Sequence, residues 1–287
     1  MNKPNNLQSK IFLDSGDPAE TRTALAELGF LDGQTTNPSL VTKNPQIQKK
    51  IQSGQKLTKE SLNGFYKEII QEISSLIPQG SVSIEVDAKP DSTKEDLLKQ
   101  AEEMFAWIPN AHIKFPTTKA GLGASEAFVK KGGRVNMTLC FTSEQAAAVY
   151  AATLGAKPGD VFYSSFIGRL FDNHINGITQ LENVLKLYKK GDGHVHVLAA
   201  SFRSLAQFQA SLITKPEIIT VSLPLILEWK KAGLEIPAHL DLSSPSLTEP
   251  KYQEIDLNKP WESYDIYNSQ TEEGLIKFVK DWENLLG

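Results

Sequence analysis

The chain has 287 residues, 40% hydrophobic and 22% charged, which excludes a disordered chain and suits one α/β barrel with a sizeable core. Thirty Lys and Arg against 34 Asp and Glu leave a net charge of −4, so no global field draws nucleic acid or an anionic membrane, and a bound anion must be held by a few placed cations. The single cysteine, Cys140, excludes an intramolecular disulfide and points to a reducing, cytoplasmic setting.

Residues 1–9 read as a polar, flexible tail containing Pro4 and three Asn, with no apolar signal-peptide core behind it. The most apolar stretch, 146–154, is alanine-rich and far short of a bilayer span. Short apolar or alternating runs at 10–14, 33–37, 81–87, 111–115, 134–139, 161–165, 194–201 and 218–222 predict strands. Helical periodicity fills the gaps between them. One stretch puts Leu97, Ala101, Met104, Phe105 and Ile108 on one face, and another does so with Ile178, Leu181, Val184, Leu185 and Tyr188. Ser92 with Glu95, and Thr142 with Gln145, have capping-box spacing. Residues 238–263, rich in Pro, Ser and acids, read as an irregular wrap leading to a final helix at 272–285. Eight strands alternating with helices predict a (β/α)8 TIM barrel over residues 10–287, a single domain with a C-terminal extension.

Alternate residues of a barrel strand face the interior. With Val82, Ile84 and Val86 facing the helices, Ser83, Glu85 and Asp87 point inward. With Ile113 and Phe115 outside, Lys114 is inside, and Val135, Met137 and Leu139 leave Asn136 and Thr138 inside. The same phase puts Ser164 inside, and Ser201 and Arg203 inside at the end of the seventh run. Polar groups collected near strand C-termini cost several kcal/mol each if unpaired, so they belong to a bonded network or a site. A merely structural Glu85–Lys114 ion pair would leave Asn136, Thr138, Ser164, Arg169 and Arg203 unexplained.

A lysine on a rigid strand in apolar surroundings suits imine formation with a carbonyl. A free lysine, with a pKa of about 10.4, is neutral only about once in ~2,500 at pH 7, and desolvation or a nearby cation raises that fraction. Imine formation needs a proton shuttle, which a carboxylate working through water provides; Glu85, with Thr138 holding the water, fits. Asp14 is the second carboxylate available for a substrate hydroxyl during C–C cleavage. Asn37 and Asn136 can orient sugar hydroxyls. Arg169 and Arg203, with Ser201 beside the latter, fit a phosphate, although arginines at strand ends are also common as surface residues.

These segments resemble a known family. Residues 12–17 (FLDSGD) and 32–40 (DGQTTNPSL) resemble the opening of transaldolases; 83–88 (SIEVDA), 113–116 (IKFP) and 135–139 (VNMTL) resemble their third, fourth and fifth strands, and 164–169 (SSFIGR) and 200–203 (ASFR) their sixth and seventh. The matches run in order from Phe12 to about Gly233. The resemblance implies a Schiff base on Lys114, Asp14 as acid/base for C–C cleavage, and Glu85 moving protons through a water held by Thr138. It implies that Asn37, Asn136 and Ser164 hold hydroxyls, that Phe166 lines the substrate, and that Arg169, Ser201 and Arg203 bind phosphate. The implied reaction moves a dihydroxyacetone unit between sugar phosphates in the non-oxidative pentose phosphate pathway, with no metal or organic cofactor. Similar fructose-6-phosphate aldolases carry Gln where this chain has Glu85 and Tyr where it has Phe166, whereas family members commonly carry Pro at Ser165. Plain aldolase activity and a catalytically silent sugar-phosphate binder are the alternatives. A homo-oligomer, dimer or larger, is left open.

Other features read as structural. His194 and His196 are expected on one face of their strand, toward the helices, without the third ligand a metal needs. Gly121-x-Gly123 reads as a turn entering a helix, Cys140 as a packed thiol, and Trp107 and Trp229 as packing residues. Lys49-Lys50 and Lys130-Lys131 read as solvated helix faces.

Overall fold

The computed structural model describes residues 3–53 and 57–286. Its strands are β1 (Lys10–Asp14), β2 (Gly33–Thr35), β3 (Ser81–Glu85), β4 (Ala111–Pro116), β5 (Val135–Cys140), β6 (Val161–Phe166), β7 (Val195–Ala200) and β8 (Ile218–Val221). All pair in parallel, each with its neighbours in sequence, and β8 closes on β1 to form a barrel. The fold is a (β/α)8 TIM barrel.

Helices α1 (Pro18–Leu28), α2 (Pro38–Val41), α3 (Pro45–Gln52) and α4 (Lys59–Leu76) flank the first strands. Around the middle of the barrel lie α5 (Lys94–Phe105), α6 (Lys119–Lys130) and α7 (Ser143–Ala152). The remainder are α8 (Ile167–Asp172), α9 (Gly177–Tyr188), α10 (Leu205–Thr214), α11 (Leu223–Lys231) and α12 (Ser269–Glu283). No helix among the described residues is long and apolar enough to cross a membrane.

The outward strand residues Val82, Ile84, Ile113, Phe115, Val135 and Met137 are fully buried beneath the helices. Each such side chain contributes roughly 1.5–3 kcal/mol on burial. The barrel's N-terminal end is closed by aromatic rings: His112 stacks on Phe162 at 4.1 Å, and Phe12 meets Phe162 edge-on at 6.0 Å. His112 Nε2 lies 2.9 Å from the Gly159 carbonyl, which only an N–H can satisfy, so Nδ1 accepts from the Ser81 hydroxyl at 2.8 Å.

Several local expectations shift. The box before α5 is Thr93 with Asp96, one residue beyond the Ser92–Glu95 spacing, because the Ser92 hydroxyl accepts instead from the Lys89 amide in the preceding turn. Thr142 and Gln145 do form their box. Strands β2 and β3 stop at Thr35 and Glu85, and Asn37 becomes the N-cap of α2, accepting from Leu40 N at 2.9 Å. Gly121 lies within the first turn of α6, not in a turn before it; a Cβ there would sit 1.9 Å from the Pro116 carbonyl oxygen. His196 is in register with Phe162 and so shares its inward face, whereas His194 precedes β7 and packs outward on Tyr150 and Thr153 of the α7 region. The two histidines therefore do not share the helix side. Cys140 is buried beside Thr117, and burial pushes its thiol up to about 12.

The segment from 238 to 268 runs over the outer helices with little regular structure. Thr248 exchanges backbone hydrogen bonds with the 174–176 turn, and the Asn183 amide donates to the Pro250 carbonyl at 2.9 Å. It delivers α12 to the C-terminal mouth. There the Thr271 hydroxyl donates to the Leu139 carbonyl at 2.9 Å and accepts from the Gln145 amide, while Asp281 near the far end bonds Ser39. From Gln270 to Asp281 the helix spans roughly 16 Å, enough to cross the mouth.

Candidate active site

Register alone sets the central pair. Glu85 of β3 and Lys114 of β4 are direct neighbours across the ladder, and aligned residues of parallel strands share a face. Both are only 4% exposed, and Lys114 Nζ lies 2.9 Å from Glu85 Oε2. The ammonium also donates to the Thr36 carbonyl at 3.0 Å. Thr36 is fixed in turn, since its hydroxyl donates to the Ser83 carbonyl and accepts from Tyr66 of α4, while the Glu85 amide donates to that same Tyr66 oxygen at 2.9 Å. Desolvation pushes the Glu85 carboxyl above its usual range, with the Lys114 charge opposing.

Asp14 ends β1 and accepts from the Thr35 hydroxyl at 2.7 Å, which contacts Thr220 of β8 at 2.6 Å. Burial among the barrel walls raises its carboxyl too, against the pull of Lys114, the Thr35 hydroxyl and Lys43. Asp14, Asn37, Lys114, Ser164, Phe166, Arg169, Ser201 and Arg203 share one cavity of about 230 Å3 at the C-terminal mouth. Glu85, Asn136 and Thr138 stand behind this lining. Asn136 connects Ser83 to Ser164: its amide donates to the Ser83 hydroxyl at 3.0 Å, and its carbonyl accepts from Ser164 at 2.9 Å. The Thr138 hydroxyl is buried with no hydrogen-bond partner among the described residues.

A different device brings Ser201 to the cavity than the strand phase suggested. Ala200 is aligned with the inward Phe166, so alternation would turn Ser201 out; instead Ser201 lies past the strand end with φ 69°. That left-handed turn redirects the chain into the mouth. Gly168 of α8 is packed against it, since a Cβ there would lie 1.8 Å from the Ser201 carbonyl oxygen. Leu139 has φ 58° where the β5–β6 register shifts.

Arg203 donates through Nε and Nη2 to Asp172 Oδ2 at 2.9 and 2.8 Å, and through Nη1 to the Ser201 carbonyl. Arg169 lies over Phe166 and Phe141, its centre 5.2 and 5.9 Å from the rings. Sequence reasoning missed Thr36 and Tyr66, and also Thr35, Ser39, Lys43, Lys277 and Phe278, the last five lining the cavity. Thr35 lies in the inward phase of β2 and was findable; Lys277 carries no local sign that its helix crosses the mouth. A larger cavity of about 630 Å3 opens near the N-terminal end of β7, among Lys186, Lys189, Lys215, Glu182 and Glu217, without a comparable buried pair.

Residues 11–287 match the family model described as transaldolase/fructose-6-phosphate aldolase. The chain belongs to the transaldolase/fructose-6-phosphate aldolase family. A probable transaldolase of Dehalococcoides mccartyi is 34% identical over 225 residues, which cover 78% of this chain and 92% of its own length. One of Brucella ovis is 35% identical over 244 residues (79% and 99%), and one of Paracoccus denitrificans 35% over 216 (73% and 86%). The family match extends past Gly233, where the motif resemblance ended, so the irregular segment and α12 belong to the transaldolase/aldolase sequence as well.

Proposed function

We propose that this chain is a transaldolase. It transfers a dihydroxyacetone unit from a ketose phosphate, sedoheptulose 7-phosphate or fructose 6-phosphate, to glyceraldehyde 3-phosphate or erythrose 4-phosphate, as in the non-oxidative pentose phosphate pathway. The observation that carries the reading is Lys114 Nζ on the floor of the mouth cavity, 2.9 Å from Glu85 and sharing the cavity wall with Asp14.

The Lys114 ammonium passes a proton to Glu85, 2.9 Å away, and the free amine adds to the C2 carbonyl of the ketose. Glu85 supplies a proton, through a water held by Thr138, to the carbinolamine oxygen, which leaves as water to give the iminium. Asp14 takes the proton of the C4 hydroxyl, the C3–C4 bond breaks, and its electron pair flows into the iminium to form the enamine. The aldose phosphate departs, the acceptor aldehyde is attacked by the enamine, and Asp14 returns its proton. Hydrolysis then frees Lys114. Carboxyls raised by burial suit steps in which a proton is held and then released. Asn37 and Ser164, the latter oriented by Asn136, hold hydroxyls. Phe166 forms an apolar wall, and Arg169, Ser201 and Arg203 receive the phosphate.

Glu85 and Phe166 favour the transferase over a plain aldolase, since similar fructose-6-phosphate aldolases carry Gln and Tyr there. The Asp14, Glu85 and Lys114 set argues against a silent binder, which has no use for a buried amine. Borohydride trapping with fructose 6-phosphate is expected to reduce an adduct onto Lys114; no adduct, or one on another lysine, refutes the mechanism. Glyceraldehyde 3-phosphate release should depend on erythrose 4-phosphate, and fast release without it would favour the aldolase.

A further inference from the structure

We propose that Lys277 is a specificity-determining residue of this cavity, carried across the mouth by α12 to take the substrate phosphate together with Arg169 and Arg203. The inference rests on the sugar-phosphate reading above and extends the site to the last helix.

Three observations carry it. First, Lys277 and Phe278 line the cavity that holds Asp14 and Lys114. Second, α12 touches the arginine side directly: a Cβ on Gly274 would lie 2.4 Å from Arg169 Nη1, and the Gln270 carbonyl accepts from the same nitrogen at 3.4 Å. Lys277 is three residues beyond Gly274, hence its neighbour on the helix face at roughly 5–6 Å. Third, its present partner holds it weakly. Lys277 Nζ is 2.8 Å from Asp281 Oδ2 in an i,i+4 pair with the lysine side chain 60% exposed, and such pairs contribute little. Asp281 also receives the Ser39 hydroxyl from α2, so it keeps a donor when Lys277 leaves. Arg203 is similarly engaged by Asp172 at a site where both side chains are nearly half exposed. A phosphate, with three acceptor oxygens and close to two negative charges, is the stronger partner for both cations.

The test uses the full chain and its Lys277→Gln and Lys277→Arg variants. Specificity is read as the ratio of kcat/KM for erythrose 4-phosphate to that for unphosphorylated erythrose, with fructose 6-phosphate as donor. The Gln variant should lower this ratio about tenfold, mainly through KM, and the Arg variant should restore most of it. Binding of inorganic phosphate, followed by calorimetry, should weaken by a similar factor in the Gln variant. An unchanged ratio and phosphate affinity, or equal effects of Gln and Arg, overturns the role of Lys277. If the wild-type chain forms no Lys114 adduct, the transaldolase reading fails instead, and the phosphate titration still decides whether Lys277 binds the anion.

Discussion

Acid sensitivity offers a quantitative check on the closed end of the barrel. His112 is buried against Phe162, and burial, with Arg134, Lys10 and His196 adding repulsion, pushes its imidazole down from 6.5 to about 3. An unfolded chain protonates this ring near 6.5 and the folded one only near 3. Between those values the unfolded state binds more protons, so stability is fully present above 6.5 and declines as pH falls. From pH 8 to pH 4.5 the loss is about 2–3 kcal/mol. Asp14 and Glu85, whose carboxyls are raised by burial, act in the opposite sense, so the wild-type profile alone mixes both effects. The variant His112→Gln isolates the histidine, because an amide can still donate toward Gly159 and does not titrate. Urea unfolding, followed through the buried Trp107, Trp229 and Trp282, should be compared at the two pH values. The wild type should lose about 2–3 kcal/mol more than the variant on acidification. Equal losses would refute the claim that this ring is held neutral by burial.

Lys114→Met should abolish turnover and the borohydride adduct while leaving the circular dichroism spectrum unchanged; activity near wild type would remove the Schiff base from the mechanism. Arg203→Ala should raise KM for phosphorylated substrates well above any change for free sugars, and equal changes would remove its phosphate role. Gly274→Ala places a methyl 2.4 Å from Arg169 Nη1 and 2.6 Å from Leu139 Cδ2. The arginine can yield and alanine favours the helix by about 1 kcal/mol, so stability should change little. The KM for phosphorylated sugars should rise nonetheless, and an unchanged KM would show that Arg169 need not keep its position.

The barrel was legible because its strands are short, apolar and evenly spaced, and because alternation within β3, β4 and β5 put Glu85, Lys114, Asn136 and Thr138 on one face without any knowledge of neighbours. Register added what periodicity cannot: that Glu85 stands beside Lys114 and not one step away. Ser201 was expected in the site for the wrong reason, since its side chain reaches the mouth through a left-handed turn that a strict alternation does not contain. His196 was misplaced by extending the same alternation backwards from Ser201. Nothing local distinguishes α12 from an ordinary amphipathic helix packed on the outside of the barrel. Its position depends on contacts with Leu139, Gln145 and Ser39, all more than 120 residues away in the chain.

The buried rings of Phe12, His112 and Phe162 make the mouth cavity a blind alley. A first product has no rear exit, so it must leave by the doorway through which the next reactant arrives, and the two compete for it. On the proposed transaldolase reading, the covalent enamine kept on Lys114 makes turnover a ping-pong sequence through that one doorway: donor in, aldose out, acceptor in, ketose out. Excess acceptor should then slow the enzyme by occupying the chamber before the donor does.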